Sequence, residues 1–136
     1  MQGRVAAENA LGGEKRVELS AVPYVLHGEP EIAAVGLSEE RARAEGYDVR
    51  IGIANLAGNA RAASLGRREG IVKLGADGES GELLGMHLAA PFAAEAIAVG
   101  VLALRLGATL DDLAAAWQWH PSVAEGVALA ARSAAR

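Results

Sequence analysis

No cysteine occurs among the 136 residues. The chain therefore has no disulfide, no thiolate metal ligand and no thiol nucleophile of its own. Aromatics are nearly as scarce: two Trp, two Tyr and one Phe make 4% of the sequence. Core volume must come from Leu, Ile, Val and closely packed Ala, and a core so poor in large side chains gains from area buried against a partner. A basic excess is missing too. The net charge is -4, which speaks against a phosphate-binding surface and hence against nucleic acid as a partner. Arg61, Arg67 and Arg68 form the one arginine-dense stretch, and they read as solvated loop charges. The longest apolar run, Ala96 to Leu104, falls far short of the roughly 20 residues that span a membrane. Met1-Gln2-Gly3-Arg4 leads into mixed polar residues rather than a signal peptide, and the absence of cysteine fits a cytoplasmic protein.

About half the residues are apolar and 22% are charged, the balance of a globular domain with one core. Val5 to Leu11 suits a short helix that Gly12-Gly13 would stop, and Glu14 to Ser20 reads as a charged linker. Val22 to His27 and Ile32 to Val35 read as strands, separated by the turn Gly28-Glu29-Pro30. Ser38 can cap a helix to about Glu45, ended by Gly46. Tyr47, Val49, Ile51 and Ile53 alternate as in a half-buried strand. Gly70 to Gly75 and Glu82 to Leu88 flank the turn-rich Ala76 to Gly81, the clearest hairpin in the chain. Pro91 to Leu106 forms a helix with apolar residues on nearly every face, so that one side meets the sheet and another a partner. Thr109 can cap a helix to about Trp117, and Ser122 to Ala134 forms the last. Strands grouped ahead of helices indicate an α+β fold: an antiparallel sheet covered by helices.

The chemistry-bearing candidates are few. No dinucleotide fingerprint follows a strand, no phosphate loop occurs, and Ala62-Ala63-Ser64-Leu65-Gly66 fails the hydrolase elbow at its first position. The three histidines lack metal-ligand spacing; His27 and His87 read as hydrogen-bonded strand residues. His120-Pro121-Ser122-Val123-Ala124-Glu125 is different. The proline biases His120 to an extended backbone at a loop-helix junction, and Glu125 lies one turn into the next helix. A carboxylate against an imidazole N–H fixes its tautomer and stabilises its cation, which suits proton exchange with a thiol. Ser122 to Glu125 is also a Ser-x-x-Glu capping box, in which Glu125 bonds only backbone. Both readings stand at this point. Trp117 and Trp119 read as packing anchors.

Several stretches together resemble the C-terminal dimerisation domain of the pyridine nucleotide–disulfide oxidoreductases, most of all dihydrolipoamide dehydrogenase. Val22-Pro23-Tyr24-Val25 and Glu29 to Glu40 resemble its opening strand and Pro-Glu-Ile-Ala segment. Asn59-Ala60-Arg61-Ala62, Gly70 to Leu74, Gly81 to His87, Ala94 to Ile97, and His120 to Glu125 follow in the family's order. The resemblance covers about residues 20 to 130. It implies that 20–136 is a dimerisation domain, and that 1–19 is a remnant helix and linker from a preceding flavin domain.

It further implies a homodimer in which His120 is the acid/base and Glu125 orients it, acting on a dithiol or disulfide substrate in the partner subunit's active site. FAD and NAD(P) are implied for the full-length enzyme, bound by its missing domains, so the isolated chain is expected to be inactive and to bind no cofactor itself. Gln118 stands where the family often has histidine, Ser122 where it has threonine, and Ala90 where glycine is usual. The absence of a terminal cysteine pair argues against the mercuric reductase branch. The alternatives are a non-catalytic homodimerisation module and, less well supported, an independent enzyme using His120 and Glu125.

Overall fold

A computed structural model describes residues 2–134. Helix α1 (Gln2–Ala10) buries no residue, and the extended linker after it leads to Ala21, the first buried position. Five strands follow, interrupted by short helices: β1 (Tyr24–Leu26), β2 (Glu31–Gly36), α2 (Glu39–Ala44), β3 (Val49–Asn55), α3 (Ala60–Ser64), β4 (Ile71–Asp77) and β5 (Leu83–Ala90). The chain closes with α4 (Ala93–Leu106), α5 (Leu110–Ala115) and α6 (Glu125–Ala134). The strands form one antiparallel sheet in the order β1-β2-β5-β4-β3. The fold is α+β, as the grouping of strands ahead of helices predicts.

Alternation decides which side of the sheet is covered. Val35, Val72, Leu74, Met86 and Leu88 point to one face and are buried there. Helix α4 lies on that face over β2 and β5, and α6 over β3 and β4. With few aromatics to fill space, the helices come close. A Cβ on Gly100 of α4 would sit 2.8 Å from Met86 Sδ, and one on Gly52 of β3 would strike the Ala130 carbonyl of α6. Density thus comes from small residues and near contact rather than bulk.

Several elements differ from the sequence reading. β1 is shorter than Val22 to His27 and leaves His27 exposed beyond its end. The small residues Gly52 and Ala54, not the large odd-numbered ones of β3, face α6, and Ile53 is 48% exposed on the opposite face. The tight contact with Ala130 and Ala134 leaves no room there for a branched side chain. Pro91 precedes α4 rather than opening it, and Phe92 holds the N-terminal cap in a left-handed conformation, φ 60°. The last helix begins at Glu125, after a turn through 122–124.

Candidate functional site

Thr109 starts α5 with a full capping box, its hydroxyl accepting from the Asp112 backbone while Asp112 accepts from the Thr109 N–H. The helix ends where Ala116 turns extended, and the loop 117–124 crosses to α6. Two anchors hold this loop. Val123 is buried in the core. Asn59, the buried polar side chain that caps α3, accepts from Ala62 N at 2.9 Å and donates through Nδ2 to the Ser122 carbonyl at 2.8 Å. One amide thereby fixes both a helix start and the turn that carries His120.

At this corner His120 Nδ1 lies 2.8 Å from Glu125 Oε1, and the Ser122 backbone N–H donates to Glu125 Oε2 at 2.8 Å. Each carboxylate oxygen of Glu125 thus has its own contact, one with the ring and one with backbone. The capping box is only half made: Ser122 Oγ is buried and has no hydrogen-bond partner among the described residues. The Ser122 N–H first, and the His120 ring second, hold the Glu125 carboxyl below the usual carboxylate range. A carboxylate can only accept, so Nδ1 must carry the hydrogen. The neutral ring then has its lone pair on Nε2. His120 is 71% exposed and Glu125 24%, so the ring faces outward while its carboxylate is sheltered.

Two depressions are lined by the residues that neighbour His120 in the chain. A cleft of about 360 Å³ runs along Trp117, Gln118, Leu129 and Arg132. A groove of about 300 Å³ runs between Phe92, Val99 and the 121–124 turn, with the Arg61 guanidinium 5.9 Å above the Phe92 ring. Trp117 and Trp119 are not packing anchors within the chain; both stand out from the surface. The extended backbone after Ala116 carries them away from the core. On α4, Val99, Leu102 and Leu106 form an exposed apolar stripe that begins beside this groove.

The other candidates lie elsewhere. His87, on β5, puts Nε2 3.1 Å from the Leu37 carbonyl, the bonded strand histidine that the sequence predicts. His27 is exposed and separate. No helix among the described residues is long and apolar enough to cross a membrane. Sequence reasoning missed the role of Asn59. Its helix cap is a local signal, but its bond to Ser122 joins positions 63 residues apart.

Fold and corner together define a class: an α+β domain with an uncovered apolar helix stripe beside a carboxylate-steered imidazole. The sequence pattern of the pyridine nucleotide-disulphide oxidoreductase dimerisation domain matches residues 22–131, and the chain belongs to that family. It is similar to the dihydrolipoyl dehydrogenase of Thermus scotoductus, 42% identical over 97% of this chain and 28% of the relative. A mercuric reductase of Lysinibacillus sphaericus is 37% identical over 96% of the chain and 24% of its own length. Identity alone therefore does not choose between the activities those names carry. Among solved structures, LpdA from Mycobacterium tuberculosis superimposes with a TM-score of 0.86 at 33% identity, covering 96% of this chain and 29% of that one. The HOCl-induced flavoprotein disulfide reductase RclA from Escherichia coli gives 0.88 at 26% identity, over 95% and 30%. The chain spans less than a third of the length of these relatives.

Proposed function

We propose that this domain dimerises through the exposed stripe of α4 and supplies His120, steered by Glu125, as the acid/base of a dithiol/disulfide site completed by the partner subunit. The observation that carries this is the 2.8 Å contact of His120 Nδ1 with Glu125 Oε1, made by a ring that is otherwise open to solvent. With Nδ1–H committed to the carboxylate, Nε2 takes a proton from a thiol and returns it to the opened disulfide. Glu125 stabilises the imidazolium between those events. An ordinary thiol near pKa 8.5 and an ordinary imidazole near 6.5 are close enough for transfer in both directions.

In this reading residues 1–19 belong with a preceding flavin domain and 20–136 form the dimerisation unit. FAD and NAD(P) are cofactors of the parent enzyme. The substrate class follows the dihydrolipoyl dehydrogenase relatives.

The test is a fusion in which this chain replaces the matching part of the Thermus scotoductus enzyme. His120→Ala is expected to slow its thiol half-reaction by about 10² or more. An unchanged rate would favour the alternative, a module that only dimerises.

A further inference from the structure

Helix α6 turns one face toward the loop that carries His120. Glu125, Ala128, Leu129 and Arg132, at positions i, i+3, i+4 and i+7, share that face and line the cleft of about 360 Å³ against Trp117 and Gln118. The two ends of the cleft carry opposite charge. At one, the Glu125 carboxylate contacts the His120 ring. At the other stands the Arg132 guanidinium. Between them Leu129, 48% exposed, offers an apolar floor. Gln118 is half-buried between two exposed tryptophans and forms the polar wall.

Arg132 is held in place with donors to spare. Its Nη2 donates to the Ala114 carbonyl at 2.9 Å, which fixes the plane of the fork and leaves the other N–H groups open. Arg41, Arg43 and Arg67 each pair with a glutamate, whereas among the described residues no carboxylate pairs with Arg132. A planar guanidinium with free donors matches a carboxylate. The Glu125 end repels the same group. A ligand in the cleft therefore has one favoured orientation, with its anion at Arg132 and its neutral end at His120. From Glu125 to Arg132 the helix rises about 10 Å, a span that an extended chain of roughly seven or eight bonds covers.

We infer that this cleft selects the thiol substrate by its tail: a dithiol whose aliphatic chain lies on Leu129 and ends in a free carboxylate held by Arg132, rather than in a neutral amide. This deepens the proposed function and rests on His120 being the acid/base at the sulfur end. Arg132 and Gln118 are its specificity-determining residues.

The fusion with the Thermus scotoductus enzyme is assayed with dihydrolipoate and with dihydrolipoamide, which share dithiol and chain and differ in the terminal group. The wild-type chain should favour the acid in kcat/KM by about tenfold or more. Arg132→Gln should remove that preference by raising KM for the acid, and leave the amide within about twofold. Arg132→Lys should restore part of it, since the charge returns without the fork. Nitrogen-15 spectra of the isolated chain give a readout independent of turnover: lipoate should shift the Arg132 Nε and Gln118 side-chain amide signals, and lipoamide should not. Wild-type preference for the amide, an Arg132→Gln effect equal on both substrates or absent from both, or spectra that do not distinguish the two ligands would overturn the inference. An equal loss is what a merely structural role of Arg132 produces. His120→Gln separates the two ideas. It should slow both substrates alike and leave the lipoate shifts at Arg132 intact. If it left the thiol half-reaction unchanged, the acid/base reading would fall, while the lipoate shifts would still decide the carboxylate site.

Discussion

Glu125→Gln tests the chemistry of the corner with the smallest change of shape. The carboxylate now uses one oxygen for the Ser122 N–H and the other for His120 Nδ1, each at 2.8 Å. Glutamine has a single oxygen. If it stays on the Ser122 N–H, the NH₂ group faces Nδ1, and two donors meet. The ring then relieves the clash by moving its hydrogen to Nε2, the atom that must be free to take a proton. A charge-assisted hydrogen bond contributes about 1.5–3 kcal/mol, so the thiol half-reaction should fall roughly 10- to 100-fold. Nitrogen-15 chemical shifts of the His120 ring at neutral pH read the tautomer directly in the isolated chain. The wild type should show Nδ1–H and the variant Nε2–H. A variant that kept both the Nδ1–H tautomer and the wild-type rate would refute the argument that Glu125 steers the ring.

Asn59→Ala leaves the Ala62 N–H and Ser122 carbonyl without their shared partner, and should cost about 1–3 kcal/mol in chemical denaturation; a change below 0.5 kcal/mol would deny Asn59 its anchoring role. Leu102→Glu puts charge into the middle of the α4 stripe and should shift the sedimentation coefficient from dimer to monomer while leaving the melting profile cooperative. Acid should weaken the corner in a defined direction. Because the folded-state pKa of Glu125 is depressed, the unfolded chain binds the extra proton first. The stabilisation is therefore complete above the ordinary glutamate value of about 4.3 and lost as pH falls through the lower folded value. The melting temperatures of wild type and Glu125→Gln should differ at neutral pH and draw together as pH falls through the acid range, and a gap that did not narrow at all would contradict this.

Much of the fold was legible because its signals are local. Ser38 before Glu39, Thr109 before Leu110, and the turn residues between β4 and β5 each mark a boundary that the structure keeps. The orientation of β3 was not legible. Alternation shows that a strand has two faces, but what packs on each is decided elsewhere; here the small side of α6 selects Gly52 and Ala54. The candidate site was half legible. His120 and Glu125 are five residues apart, and their contact follows from the turn between them. Asn59 was invisible as part of the site because its partner lies beyond any local window. The tryptophans misled, since a rare large apolar residue in a core poor in volume reads as a core residue.

That error bears on how the domain is built. A chain with five aromatics puts neither tryptophan inside; both are exposed beside His120, and Tyr24 is exposed on the open sheet face. Its interior is closed instead by glycine and alanine at near contact, which gives density with little apolar area per residue. All five aromatic side chains stand on the surface instead. Such a distribution is unfavourable for a solitary monomer and favourable for a component, because each exposed group gains its burial energy only on assembly. The same economy applies at the corner. Glu125, the first residue of α6, holds the turn before the helix with one oxygen and contacts the His120 ring with the other. If the proposed acid/base role holds, stability and proton transfer are coupled through a single carboxylate, and a substitution there must change both together.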